Sequence, residues 1–137
     1  GIDGNISTAL GIAHSLKATI AILGDLSFLY DLTGLINKEE MNCKIIVINN
    51  DGGGIFSTLP QRGSHGFETV FGTPHGLDPA AIAKAMGLDA KVISSVDQLR
   101  DEIKKPISGV SVVVCDVPSR ESNADLIKSL YTKMESI

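Results

Sequence analysis

Two short apolar runs, Ile20-Ala21-Ile22-Leu23 and Ile45-Ile46-Val47-Ile48, each break off into a segment that mixes oxygen-bearing side chains with glycine. The first run continues as Gly24-Asp25-Leu26-Ser27, the second as Asn49-Asn50-Asp51-Gly52-Gly53-Gly54. Runs this short and this rich in Ile and Val have the composition of strands buried on both faces of a parallel sheet. In such sheets ligands gather beyond the carboxyl ends of the strands. Asp25 supplies a carboxylate there and Asn50 a neutral carbonyl. Gly52, Gly53 and Gly54 leave backbone groups open to close approach. Hard oxygen donors beside exposed amides predict a site for Mg²⁺ carrying a diphosphate.

The rest of the chain supplies a scaffold for such a site. Ala9, Leu10, Ile12, Ala13 and Leu16 recur at helical spacing over residues 7–17, with Ser7 or Asn5 as cap. A strand is expected over 19–23. A helix follows over 26–37, with Phe28, Leu29, Leu32, Leu35 and Ile36 as its apolar set, and then a strand over 44–49. Residues 52–76 hold seven glycines and two prolines, too long a stretch for a passive connection. Asp78-Pro79 reads as an N-cap followed by proline at the first helical position, and that helix stops at Gly87. Beyond it come a strand over 90–94, a helix over 96–104 with Leu99 and Ile103 inward, and a β-branched strand over 110–117. A terminal helix over 122–136 lines up Leu126, Ile127, Leu130 and Met134. Strands alternating with helices predict right-handed crossovers and an α/β fold, a doubly wound, mostly parallel sheet flanked by helices. With 137 residues the expectation is a single domain spanning 1–137.

The order Gly24-Asp25, then 22 residues after Leu26, then Asn49-Asn50, resembles the metal and diphosphate motif of thiamin-diphosphate enzymes. The usual form opens Gly-Asp-Gly with a slightly longer spacer; Leu26 replaces the last glycine here. Longer strings narrow the resemblance: Gly24 to Asp31, Asn49 to Ser57, Gly1-Ile2-Asp3-Gly4 and Phe71-Gly72-Thr73-Pro74-His75. Together they are similar to the C-terminal domain of the menaquinone-pathway synthases that make 2-succinyl-5-enolpyruvyl-6-hydroxy-3-cyclohexene-1-carboxylate. The likeness is dense from Gly1 to about Leu88 and thins to a pattern of elements beyond it. It implies the thiamin-diphosphate-binding fold, with thiamin diphosphate and Mg²⁺ as cofactors. It implies Asp25, Asn50 and the Gly52 carbonyl as metal ligands. Leu26, Ser27, Gly53 and Gly54 fall on the diphosphate. Ile55 and Phe56 fall over the reactive ring, and Ile2 at the apolar wedge that bends the cofactor. That bend brings the aminopyrimidine nitrogen to the thiazolium C2 proton and lowers the cost of its removal by proximity.

The implied family reaction is decarboxylation of 2-oxoglutarate and addition of the succinyl unit to isochorismate, a transferase chemistry. The activating glutamate and the arginines that read the substrate carboxylates belong to other parts of such enzymes, usually with a second subunit in a homo-oligomer, so no catalytic residue is expected here. The chain opens on Gly1 and runs straight into motif-like sequence, which suggests a fragment of a longer chain, inactive alone. Two other readings stay open: another thiamin-diphosphate enzyme, such as an acetohydroxyacid synthase or a 2-oxoacid decarboxylase, or a non-catalytic module of the same fold.

Ordinary roles compete at each position. Asp25 also suits a helix N-cap, Gly53 and Gly54 a plain turn, Ile2 a core position, and Ile55, Phe56 and Leu59 an anchor for the loop. Asp51 reads as a turn former, Asn49 as a cross-loop bond, and Tyr30 and Asp31 as structural. A net charge of -4 and no basic stripe argue against nucleic acid. No apolar run is long enough for a membrane span, and no signal-peptide pattern appears, so a cytoplasmic location is expected. Cys43 and Cys115 read as buried thiols. His14, His65 and His75 form no hydrolytic triad spacing, and the glycine run lacks the Lys-Ser/Thr of a phosphate loop.

Overall fold

The structure, a computed structural model, describes residues 1–36 and 41–136. The chain divides into two units: Gly1–Asn49 with Asp78–Asp116, and Asn50–Leu77 with the segment from Val117 onward.

The first unit carries four strands, β1 (Thr19–Gly24), β2 (Cys43–Asn49), β3 (Asp89–Ile93) and β4 (Val110–Asp116). They pair in the order β1-β2-β4-β3, and every pairing is parallel. Among its described residues are the helices α1 (Asn5–Ser15), α2 (Asp25–Tyr30), α3 (Pro79–Ala85) and α4 (Val96–Lys104). Ile45, Val47, Val112 and Val114 face a core shared with Ile6 and Leu10 of α1, Phe28 of α2 and Ala83 of α3. Ile46, Val113, Cys115 and Ile93 face the other way and meet Leu99 of α4. Helices on both faces of a parallel sheet make the doubly wound α/β arrangement that the alternation of elements predicts.

Burial on both faces holds for β2 and β4 and fails for β1. As an edge strand β1 has one neighbour, and it alternates half-buried with exposed residues. Ala21 and Leu23 pack inward, while Ile20 and Ile22 are exposed.

Local structure departs from the sequence expectation where a side chain reaches across. Neither Asn5 nor Ser7 caps α1; Gly4 does, in the left-handed region. The Ser7 N–H and hydroxyl instead donate to the Asp31 carboxylate, at 2.7 and 3.1 Å. At Asp31 the backbone leaves the helical region (φ -126, ψ 29), so α2 ends at Tyr30, and the chain goes on as a 3-10 turn, Leu32–Ile36, in place of one continuous helix. Gly34 passes so close to α1 that a Cβ there would sit 2.7 Å from the Ser7 hydroxyl. The expected continuation at Asn37 lies outside the described residues. Of the apolar residues at helical spacing, Ile12 and Leu16 are exposed, and the buried stripe of α1 is Ile6, Ala9, Leu10 and Ala13. Asp78 caps α3 as its sequence predicts, accepting from the Ala80 and Ala81 amides at 2.8 and 3.0 Å.

On α4 the inward position after Leu99 is Glu102, not Ile103. Its carboxylate pairs with Lys105 and with Lys91. The buried Lys44 ammonium donates to the Glu102 and Lys105 carbonyls at the end of the helix. The Lys105 hydrogen bond first, and Lys91 after it, hold the Glu102 carboxyl below the ordinary value of 4.5 against the opposing pull of burial. A folded-state value below the unfolded one adds stability that is complete above about pH 4.5 and is lost as the pH falls through the lowered value. Glu102→Gln is therefore expected to flatten the acid limb of a stability-against-pH curve and leave its slope above neutrality unchanged. Urea melts at stepped pH check this, and an unchanged acid limb contradicts it.

The second unit holds a 3-10 turn (Gly54–Thr58), a π-helical turn (Glu68–Gly72) and the helix α5 (Arg120–Glu135). The stretch read as irregular thus has structure of its own. Phe71 packs its ring 5.5 Å from Phe56 and 5.9 Å from Phe67. Arg120, buried at the start of α5, pairs with Glu68 at 2.7 Å, and Arg62 pairs with Asp125 at 2.6 Å. Of the apolar residues aligned on one face of α5, Leu126, Leu130 and Met134 are exposed and Ile127 is half-buried; Arg120 and Ala124 are the buried residues of the helix. Cys43 and Cys115 are free and buried, and burial pushes both thiols up. Among the described residues no helix is long and apolar enough to cross a membrane.

Candidate functional site

In the first unit, β1 and β2 run parallel with Gly24 opposite Ile48, so the two strands end at the same edge of the sheet. Asp25 is the first residue of α2 and is 2% exposed. Its Oδ1 accepts the Leu26 N–H at 2.7 Å. It is not the N-cap, which is Gly24, so the ordinary capping role does not account for it. A carboxylate in the first helical turn is favoured by the helix dipole. Leu26 and Ser27 beside it are half-buried. Asn49 donates to the Asp116 carboxylate at 2.9 Å, across the register pair that ends β2 and β4. That bond accounts for Asn49 as a sheet-end brace. Ile2 is exposed, and its carbonyl accepts from the Asn5 side chain at 2.8 Å.

In the second unit, Asn50 opens a tightly wound segment. Asp51 has φ 60 and Gly52 φ 130. A Cβ on Gly52 would strike the Gly72 carbonyl, and one on Gly54 would strike the Asn50 carboxamide. The Gly53 N–H donates to the Gly72 carbonyl at 2.8 Å and the Gly54 N–H to the Gly52 carbonyl at 2.9 Å. Both glycine amides expected to face a ligand therefore have acceptors within the loop. Ile55 and Leu59 are exposed, and Phe56 is half-buried against Phe71.

In the first unit Asp25 offers a carboxylate, and in the second Asn50 offers a carboxamide and Gly52 a backbone carbonyl; each is a hard oxygen donor of the type Mg²⁺ takes. Among the described residues no three His, Cys, Asp or Glu side chains converge as a dedicated metal cluster would require.

Residues 4–117 match the family described as thiamine pyrophosphate enzyme, C-terminal TPP binding domain. The chain belongs to that family. Its relatives sharpen the placement. This TPP-binding domain is 44% identical over 97% of its length to the 2-succinyl-5-enolpyruvyl-6-hydroxy-3-cyclohexene-1-carboxylate synthase of Bacillus cytotoxicus, and covers 24% of it. It is 38% identical over 99% of its length to the synthase of the same name from Lactococcus lactis, and covers 25% of that protein. The domain thus spans about a quarter of the curated relatives it matches. Among solved structures it is similar to benzoylformate decarboxylase from Polynucleobacter necessarius, at a TM-score of 0.66 and 22% identity, over 85% of this chain and 23% of that one. A thiamin diphosphate-dependent enzyme from Mycobacterium smegmatis aligns at a TM-score of 0.62 and 22% identity, over 83% and 22% of the two chains. Those two likenesses speak for the fold alone.

Sequence reasoning did not identify the partners in three interactions of this TPP-binding domain. Asp116 meets Asn49, Arg120 meets Glu68, and Asp51 bonds to residues 75 and 76. Each joins residues more than twenty positions apart, so spacing carries no signal for it.

Proposed function

We propose that this chain is the Mg²⁺- and diphosphate-binding part of a synthase that decarboxylates 2-oxoglutarate and adds the succinyl unit to isochorismate in menaquinone biosynthesis. The observation that carries the reading is the 44% identity, over nearly the whole chain, to a synthase of that name. Asp25, Asn50 and the Gly52 carbonyl hold the Mg²⁺, and Ser27 and Leu26 lie along the diphosphate. Gly53 and Gly54 act through shape, since a side chain at either would collide with the loop itself. Ile55 and Phe56 shield the reacting end from water, and Ile2, ahead of the matched residues, braces the bent cofactor. Bound thiamin diphosphate supplies the electron sink for the decarboxylation; the chain positions it and neutralises its charge. The groups that read the substrate carboxylates belong to the remaining three quarters of the relatives' length and to a second subunit, in a cytoplasmic homo-oligomer.

Two measurements test this. Thiamin diphosphate and Mg²⁺ together are expected to raise the melting temperature of the chain, and neither alone to match that shift, because ligand bound only to the folded state stabilises it. With 2-oxoglutarate, isochorismate and both cofactors, the chain alone is expected to form no product, and activity to return when the rest of a relative's length is supplied. No thermal shift in either the chain or the completed protein contradicts the reading.

A further inference from the structure

We propose that Asp51 is a positioning residue that sets the Asn50–Gly54 segment for the cofactor, an inference that rests on the cofactor reading above. Asp51 sits between two of the proposed metal ligands, Asn50 and Gly52. Its backbone lies in the left-handed region, with φ 60, where only glycine is at ease and Asp and Asn are the tolerated exceptions. That backbone turns the carboxylate onto the far end of the same loop. Oδ1 accepts the Gly76 N–H at 2.8 Å and the His75 N–H at 3.0 Å. The His75 ring is in turn fixed, because its Nδ1 accepts the Leu77 N–H at 3.0 Å.

Two further contacts run alongside this clamp. The Gly53 N–H donates to the Gly72 carbonyl, and Gly52 lies against the same carbonyl with no room for a Cβ. Residues 51–53 therefore lie along residues 72–76, and Asp51 is the side chain that fastens them. Removing its carboxylate releases the end of the loop nearest Asn50 and Gly52. The two amides that Asp51 Oδ1 accepts lie 24 and 25 positions away, so these bonds join the two ends of the loop.

Asp51→Ala and Asp51→Asn in the full chain test this. Asn keeps an acceptor oxygen and tolerates the left-handed backbone; Ala keeps neither. Calorimetric titration with Mg²⁺ and thiamin diphosphate is expected to give Asp51→Asn an affinity within about threefold of the parent. Asp51→Ala is expected to bind about tenfold more weakly, or worse, as outer-shell losses at metal sites do. Amide exchange at His75 and Gly76 should speed up in Asp51→Ala alone, while the sheet amides stay protected. Parent-like affinity in Asp51→Ala, or Asp51→Asn binding as weakly as Asp51→Ala, overturns the inference. A parent chain that binds with the His75 and Gly76 amides unprotected overturns it while the cofactor reading stands. No binding by either the parent chain or the completed protein, with those amides protected, overturns the cofactor reading, and the positioning role with it.

Discussion

Gly52→Ala is expected to undo the loop that opens at Asn50. At φ 130 a residue with a Cβ is strained, at a cost on the order of 1–3 kcal/mol. The added Cβ would also strike the Gly72 carbonyl, which already accepts the Gly53 N–H. That obstacle is backbone, so no side chain can swing aside; overpacking of this kind costs a further ~1–3 kcal/mol. The loop must open, and a penalty of about 2 kcal/mol or more corresponds to roughly a 30-fold loss of cofactor affinity. Amide exchange at Gly53 and titration with Mg²⁺ and thiamin diphosphate measure the two effects. Gly11→Ala is the control of opposite sign. It lies in α1 with open space where its Cβ would go, and is expected to stabilise the chain by up to about 1 kcal/mol. Parent-like exchange and affinity in Gly52→Ala would show that the loop conformation plays no part in binding.

Asp25→Ala is expected to remove the Mg²⁺-dependent part of cofactor binding, a loss of more than about 100-fold, because a metal ligand contributes more than the outer-shell groups whose loss costs 10- to 100-fold. The fold should survive the change. Asp25 is the first residue of α2, not its cap, and Phe28, three residues on, is the buried hydrophobic anchor of that helix. A drop in affinity that follows a drop in melting temperature would mark Asp25 as structural; a drop in affinity alone marks it as a ligand.

The fold was largely legible because its signals are local. β-branched runs at 45–48 and 110–114 read as strands and are strands, and Asp78-Pro79 read as a helix start and is one. The α/β class follows from their alternation. The misreadings share a cause, which is that burial depends on partners far along the chain. Ile20 and Ile22 look like core residues, yet β1 is an edge. Glu102 looks like a surface residue, yet Lys91 and Lys105 make its burial tolerable. The helix expected over 26–37 breaks at Asp31, whose backbone leaves the helical region and whose carboxylate meets Ser7 of α1. At the candidate site the donor types were legible in Asp25, Asn50 and the glycines. The hydrogen bonds that shape the loop were not, since Gly53 to Gly72 and Asp51 to Gly76 are contacts that no spacing announces.

Under the proposed function, Asp25, Asn50 and the Gly52 carbonyl are ligands of one divalent ion. Replacing Mg²⁺ with Mn²⁺ in the presence of thiamin diphosphate turns that ion into a paramagnetic probe, and amide NMR signals near it broaden. The account predicts broadening of Leu26 and Ser27 together with Asn50 through Gly54, and its disappearance in Asp25→Ala at the same Mn²⁺ concentration. Broadening confined to other carboxylates, such as Glu102 or Asp125, or unchanged broadening in Asp25→Ala, would contradict it.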